Sequence, residues 1–171
     1  AKQRPDARDR RLLPLLVIGL LLVGVLLGLL YIGLSQRMAR TPHIDTPHGI
    51  ATLEAVEING SKQWISVRGQ DINRPVLLFL AGGPGGSELA MTRLYLGKLE
   101  EHFVVVNWEQ PGTGKSFNAA PIQSLTPERY LADGLALTQY LQTRFQQEKI
   151  YLLGESWGAI LGVWMAQAAP A

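Results

Sequence analysis

The chain has 171 residues, of which 47% are hydrophobic and 18% are charged, and its formal net charge is +2. These values suit a globular domain that carries an additional apolar segment, and the charge is too small to indicate a nucleic-acid partner. No cysteine is present, which excludes disulfides, thiolate metal sites and a cysteine nucleophile within the chain.

The N-terminal region predicts a transmembrane signal anchor at residues 12–34. The segment from Leu12 to Leu34 contains no charged residue, and as a helix it would extend about 35 Å at ~1.5 Å per residue, enough to cross a bilayer. It is longer than the apolar region of a cleaved signal peptide, and no small-x-small cleavage site follows it. A cleaved signal peptide and a buried core helix are the alternatives.

The charges around this segment predict its orientation. Basic residues are concentrated in residues 1–11, whereas only Arg37 and Arg40 closely follow the apolar run. The positive-inside rule therefore predicts a cytoplasmic tail, a single span in the cell membrane and an extracytoplasmic body. Gly24 and Gly28 form a small-xxx-small pair that would let two such helices associate as a weak dimer, although glycine also occurs in membrane helices that do not pair.

Residues 35–50 are predicted to form a linker. Thr41 to Gly49 repeats a Thr-Pro-His unit among turn-forming residues and shows neither helical nor strand periodicity. His43 and His48 are assigned to solvated positions, because no acidic or cysteine cluster accompanies them as metal ligands would require.

The body, residues 51–171, is predicted to have an α/β fold. Strand-like runs at 51–58 and 63–68 flank Asn59-Gly60, a dipeptide that suits a hairpin turn. Apolar runs at 75–80, 103–108 and 149–153 are then separated by helix-like segments at 88–101 and 127–146. This pattern predicts an antiparallel hairpin leading into a parallel sheet flanked by helices.

A candidate nucleophile follows the last apolar run. Gly154-Glu155-Ser156-Trp157-Gly158 lies between the strand at 149–153 and a helix-compatible segment, which is the context of a nucleophile elbow. Ser156 is therefore the predicted nucleophile, and a plain glycine turn is the alternative. An acyl-transfer site also needs donors for the developing oxyanion. These are assigned to the backbone N–H groups of Trp157 and of Gly83, in the Gly-rich loop after the strand at 75–80.

One further motif resembles a nucleotide site without meeting its requirements. Gly112-Thr-Gly-Lys-Ser116 looks like the end of a phosphate-binding loop, but Glu109 stands where that loop requires glycine. No dinucleotide fingerprint follows a strand either. The sequence predicts no cofactor and no metal site.

Three motifs in order resemble the proline iminopeptidase branch of the α/β-hydrolase superfamily. They are Gly-Gly-Pro-Gly-Gly at 82–86, Asn-Trp-Glu-Gln-Pro-Gly-Thr-Gly-Lys-Ser at 107–116 and Gly-Glu-Ser-Trp-Gly at 154–158. The likeness spans residues 50–170 and implies Ser156 as the nucleophile, with Gly83 and Trp157 as oxyanion donors. Ala81, Glu109 and Pro111 stand where this branch usually has His, Asp and Arg.

The leading hypothesis is a membrane-anchored serine hydrolase that removes residues from the N-terminus of small peptides through an acyl-enzyme at Ser156. The alternatives are an esterase or lipase-like α/β hydrolase and a non-catalytic, membrane-tethered binding module. In the α/β-hydrolase order the triad acid and histidine follow the serine, yet every histidine here precedes Ser156. We therefore expect the chain to represent the N-terminal half of such an enzyme, to leave the strand at 149–153 with an unpaired edge, and to show little turnover alone.

Overall fold

A computed structural model describes residues 7–39 and 43–169. The chain separates into two compact units, Ala1–Thr41 and Pro42–Ala171, and each is described by itself.

The described part of the first unit is one long helix, α1, from Ala7 to Ala39. Within it, the 23 residues Pro14–Gln36 have a mean hydropathy of 3.0 and none of this segment is buried, so by length and composition it is able to cross a membrane. The helix begins before the predicted span and ends after it. The positions of Gly24 and Gly28 face open space in this unit, and the dimer through them stays a prediction. Residues 1–6 of the predicted tail lie outside the described residues.

The predicted linker at 35–50 contains the end of α1, the undescribed residues 40–42 and a segment that is attached to the body. In this segment Ile44 is buried, and the hydroxyl of Thr46 donates to the carbonyl of Gln70 at 2.6 Å. His48 pairs with Asp71 in an isolated bridge. These contacts join residues separated by more than twenty positions, so they cannot be predicted from local sequence periodicity.

The second unit is built on a five-stranded mixed sheet with strand order β1-β2-β4-β3-β5. The strands are β1 Ile50–Ile58, β2 Ser61–Gly69, β3 Val76–Leu80, β4 Val104–Glu109 and β5 Tyr151–Gly154. β1 and β2 form an antiparallel hairpin, β2 pairs antiparallel with β4, and β3 lies parallel to both β4 and β5. The predicted hairpin leading into a parallel sheet is confirmed.

The hairpin turn has the geometry that its sequence predicts. Asn59 and Gly60 both have positive φ, at 47° and 75°, and Ile58 pairs directly with Ser61. A two-residue turn of this kind matches the right-handed twist of the flanking strands.

Among the described residues of this unit, three α-helices accompany the sheet: α2 Leu89–Tyr95, α3 Pro127–Phe145 and α4 Trp157–Ala168. α3 begins at residue 127, as predicted; the Thr126 hydroxyl caps it by accepting from the N–H of Arg129, and Pro127 lies in its first turn. The helix predicted at 88–101 is interrupted at Leu96 and continues as a 3-10 helix, Gly97–Glu101, whose C-cap is His102. Glycine at the start of this second piece disfavours an uninterrupted α-helix.

Helices cover both faces of the sheet, as predicted. On one face Leu78, Leu80, Val106 and Trp108 belong to a core that also contains Leu137 and Leu141 of α3 and Leu161 and Met165 of α4. On the other face Asn107 of β4 donates to the hydroxyl of Thr92 in α2. Burial on both faces explains why β3 and β4 have almost continuous apolar sequences.

Candidate active site

Three loops meet at one edge of the sheet. β3, β4 and β5 are parallel and end at Leu80, Glu109 and Gly154. The Gly-rich loop 81–86, the loop 110–116 and the turn at 155–156 therefore all start from the same edge. In open α/β sheets this carboxyl edge is where ligands bind.

Ser156 occupies a sharp turn between β5 and α4. Its backbone has φ 51° and ψ −118°, a strained conformation for a residue with a side chain. The turn is closed by hydrogen bonds from Gly158 N to Glu155 O at 2.8 Å and from Ala159 N to Ser156 O at 3.0 Å. The Ser156 side chain is exposed. This is the geometry of a nucleophile elbow, in which backbone strain presents the hydroxyl to solvent.

The two glycines that flank the serine are required by close backbone approach. A Cβ atom at Gly158 would overlap the carbonyl oxygen of Leu80, and one at Gly154 would overlap the carbonyl oxygen of Gly158. Neither contact is sterically allowed. The Gly-x-Ser-x-Gly spacing is therefore explained by packing of the elbow against the end of β3.

The Gly-rich loop lies against the elbow. A Cβ atom at Gly82 would be 3.5 Å from the Cβ of Ser156 and 3.5 Å from the carbonyl oxygen of Glu155. The N–H of Glu155 also donates to the carbonyl of Leu80, at 3.1 Å. Gly83, the predicted second donor, follows Gly82 directly in this loop.

The first predicted donor, Trp157, starts α4. Backbone N–H groups in the first turn of a helix have no acceptor within the helix. In the part of the chain that the structure describes, the Trp157 N–H has no other acceptor either. It is thus available to a ligand beside Ser156, as an oxyanion donor must be. The assignment of Gly83 and Trp157 to an oxyanion hole stays a prediction.

Gln110 links the two segments that carry these donors. Its side chain is almost completely buried, at 1% exposure. The amide nitrogen Nε2 donates to the carbonyl of Ala81 at 3.1 Å, and the amide oxygen Oε1 accepts from the indole Nε1 of Trp157 at 3.1 Å. The Gln110 side chain thereby contacts both the Gly-rich loop beside Ser156 and Trp157, the residue that follows Ser156.

Glu109 contacts both the residue that follows the Gly-rich loop and the loop 110–116. Its buried carboxylate accepts hydrogen bonds from the hydroxyl of Ser87 and from the backbone N–H of Lys115. The phosphate-loop-like segment is therefore a turn that is folded around a carboxylate, a setting that would repel a phosphate group.

Two further carboxyl groups lie near Ser156. Glu155 is exposed and precedes Ser156, and the carboxyl oxygen of Glu88 approaches the position of a Gly82 Cβ at 3.6 Å. Burial, then a hydrogen bond with Glu155 and its negative charge, raise the pKa of Glu88 above the usual value. A hydrogen bond from Gly82 acts in the opposite direction.

Two of the three histidines lie far from the elbow. His48 pairs with Asp71, which precedes β3, and His102 caps the 3-10 helix immediately before β4. Both positions lie at the edge from which the parallel strands start, opposite to Ser156. Neither His48 nor His102 is thus placed to accept the Ser156 proton.

Sequence reasoning missed the roles of Ser87, Glu88, Glu109 and Gln110. Glu109 and Gln110 stand inside the Asn-Trp-Glu-Gln-Pro motif, so a signal existed, but the motif does not say what its side chains contact. Apart from Lys115, which is six residues from Glu109, their partners are separated from them by 22 to 47 residues along the chain.

Comparisons with known proteins agree with this geometry. Residues 75–171 match the sequence model of a family described as the alpha/beta hydrolase fold. A probable aminopeptidase of Bacillus subtilis (strain 168) is 38% identical over 128 residues, which are 74% of this chain and 40% of that protein. The chain therefore spans well under half the length of this curated relative.

Solved structures show the same fold. An epoxide hydrolase from Vigna radiata superposes with a TM-score of 0.56 and 26% identity over 68% of this chain and 35% of its own. A proline iminopeptidase-related protein from Thermus thermophilus gives a TM-score of 0.59 and 24% identity over 71% of this chain and 41% of its own. The matched family model covers more than half of the sequence, and it includes β3, the Gly-rich loop and the elbow. The chain thus belongs to the α/β-hydrolase fold family.

Proposed function

We propose that this protein is a membrane-anchored serine hydrolase with aminopeptidase activity and that Ser156 is its nucleophile. The observation that carries the proposal is the backbone of Ser156, which is held at positive φ between β5 and α4 with its side chain exposed. Such strain persists only where surrounding structure enforces it, and it is concentrated at functional sites. The apolar helix α1 supports the anchor.

The proposed reaction is acyl transfer. The Oγ of Ser156 attacks the substrate carbonyl carbon, and the carbonyl electron pair moves to oxygen as the Oγ–C bond forms. The hydroxyl proton passes to a general base and from there to the leaving amine when the C–N bond breaks. Water then hydrolyses the acyl-enzyme. The N–H groups of Trp157 and Gly83 would stabilise the oxyanion, and one such donor is worth about 10²- to 10³-fold in kcat.

The base is proposed to come from a part of the protein other than the described residues. Without an imidazole to accept its proton, a serine hydroxyl is a weak nucleophile at neutral pH. We accordingly expect the 171-residue chain alone to show little or no turnover, although its elbow is formed.

The substrate class rests on the likeness to the probable aminopeptidase, which is 38% identical to this chain over 128 residues. An ester substrate is the second candidate, because the elbow and the Gly-rich loop serve carbonyl attack in the same way whether nitrogen or oxygen leaves. A substrate panel separates the two. Peptides with a free N-terminus, their N-acetylated counterparts and acyl esters of similar size should be hydrolysed at clearly different rates.

The decisive experiment uses membranes from cells that express the complete gene, treated with a fluorophosphonate probe beside a Ser156→Ala variant. We expect one membrane-retained labelled band, absent in the variant, with a mass above the 18.8 kDa of this chain. Free-N-terminus peptides should be cleaved and N-acetylated peptides should not. If the folded, expressed protein takes up no label, the non-catalytic binding module becomes the better account. Preferential hydrolysis of esters would instead favour the esterase.

A further inference from the structure

We propose that Gln110 is a positioning residue that sets the distance between the two oxyanion donors. This inference rests on the proposed function and deepens it, because it assigns a role in that reaction to a side chain that does not touch the substrate.

The side-chain amide of Gln110 makes two hydrogen bonds. Its Nε2 donates to Ala81 O, and its Oε1 accepts from Trp157 Nε1, both at 3.1 Å. Ala81 precedes the loop that carries Gly83, and Trp157 carries the other donor. A single planar amide therefore spans the two segments whose separation determines the shape of the oxyanion hole.

A loop composed largely of glycine needs such a restraint. Glycine has the widest range of backbone conformations, so the segment 82–86 has little stiffness of its own. Oxyanion donors act only when they lie about 2.7–3.1 Å from the developing charge. A displacement of about 1 Å is sufficient to reduce the rate about 10²-fold.

The contacts of Trp157 close a ring of interactions around Gln110. The Trp157 indole packs edge-to-face on Tyr130, with ring centroids 5.7 Å apart, and the Tyr130 hydroxyl donates to the carbonyl of Pro111 at 3.1 Å. Pro111 is the neighbour of Gln110 in the chain. Both the side chain and the adjacent peptide of Gln110 are thus held, so a rotation of its amide would break contacts on two sides.

A purely structural glutamine is the competing explanation, and the protein contains a matched example. Gln63 is also fully buried, and its Oε1 accepts from the indole of Trp108 at 2.8 Å. Its Nε2 donates to Asp133 and Ser61, neither of which belongs to the Gly-rich loop or to the elbow. Gln63→Ala therefore reports what the loss of a buried glutamine does by itself.

The test uses the full-length enzyme and measures kcat, KM and the rate of fluorophosphonate labelling at Ser156. Gln110→Ala removes both contacts. Trp157→Phe removes the indole donor and keeps a smaller aromatic ring against Tyr130 and Trp164, so it serves if Gln110→Ala does not fold. We expect each variant to lower kcat and the labelling rate about 10- to 100-fold, with KM changed by less than about 2-fold. The double variant should lose scarcely more than the worse single variant, since both act through one link.

Gln63→Ala is the control for these variants. Gln63→Ala should lower the melting temperature and leave kcat per folded enzyme within about 2-fold. The inference is overturned if the Gln110 and Trp157 variants react at the wild-type rate, if only KM rises, if their losses multiply, or if Gln63→Ala loses kcat to the same extent. A wild-type enzyme that takes up no label would instead refute the proposed function, and this inference with it.

Discussion

The backbone conformation at Ser156 depends on how closely the elbow packs against the end of β3. Gly158 lies so close to the end of β3 that a single methyl group would overlap the Leu80 carbonyl. The same closeness holds the serine backbone at φ 51°, because α4 can start only from the position that this contact allows. Backbone strain at Ser156 and close packing under the elbow are therefore two aspects of one arrangement.

The first prediction concerns this contact. Gly158→Ala should destabilise the protein by about 2–3 kcal/mol, since the added methyl forces β3 and α4 apart, and it should abolish labelling of Ser156. Gly162→Ala is the matched control in the same helix, because its Cβ would lie 3.4 Å from the flexible Leu80 side chain. Thermal unfolding should show a change of under about 1 kcal/mol for the control. Equal effects of the two substitutions would contradict the packing argument.

Glu88 supports a prediction about pH. Because burial, and then Glu155, raise the pKa of its carboxyl group, the folded state binds a proton there more tightly than the unfolded state. The stability from this group is present below the unfolded pKa and is lost as pH rises through the folded pKa. Glu88→Gln should therefore increase the melting temperature at neutral pH, with a gain that disappears on acidification.

Glu128 provides the control of opposite sign. Hydrogen bonding by its own backbone N–H, and then by Thr126, lowers its pKa, so its contribution to stability is present above the unfolded pKa and is lost as pH falls through the folded pKa. Glu128→Gln should lower the melting temperature slightly at neutral pH. Melting curves recorded from acidic to neutral pH would contradict both assignments if the two variants followed the wild type in parallel.

At the level of elements, one buried carboxylate joins the hairpin to α3. Asp133 has no exposed surface and accepts hydrogen bonds from Asn59 and Gln63 of the hairpin at 2.8 Å each. Arg129, one turn earlier on α3, completes its coordination at 2.8 Å. The hairpin is distant from α3 in sequence, and Asp133 holds the two elements together with the ion pair between Arg144 of α3 and Glu54 of β1.

Removal of this carboxylate should be costly. Asp133→Ala removes a charged acceptor from two amide groups and a guanidinium, of which Gln63 and Arg129 keep only their hydrogen bonds to Ser61. We expect a loss of about 3 kcal/mol in the free energy of unfolding. Arg74→Ala is the comparison, because its ion pair with Asp71 is 3.9 Å long and exposed and should contribute little to stability. Denaturant unfolding that gives similar losses for the two variants would show that the network is not important for stability.

At the scale of the whole molecule, the two units differ in whether their apolar side chains are buried. The body buries its apolar side chains between the sheet and the helices, whereas α1 exposes an unbroken apolar surface. A bilayer removes such a surface from water.

On the body, no described strand pairs with the outer edge of β5, and an open groove of about 1070 Å³ lies between α3, β5 and α4.

The proposed membrane topology is testable because the chain contains no cysteine. In the cysteine-free chain, Lys62→Cys places a single thiol on an exposed position of the body, and Lys2→Cys places one in the basic tail. We expect a membrane-impermeant maleimide to label Lys62→Cys in intact cells and Lys2→Cys only after permeabilisation. The reverse pattern would contradict the orientation, and recovery of the chain in the soluble fraction would contradict the anchor.

Local sequence was sufficient for much of this description. The apolar helix, the Asn59-Gly60 turn, the start of α3 at Pro127 and the elbow at Ser156 depend on residues adjacent in the chain, and all are present in the structure. Such features follow from backbone preferences and from hydrophobic periodicity, which act over a few residues.

The features that only the tertiary structure decided depend on residues far apart in sequence. Examples are the position of β3 between β4 and β5, the contact of His48 with Asp71, and the bridge of Gln110 from Ala81 to Trp157. A buried glutamine or glutamate has the same sequence signature whatever it contacts, because its partner is selected by the packing of distant elements. The sequence by itself therefore determined which residue is presented as the candidate nucleophile, and the fold decided which side chains hold the site around it.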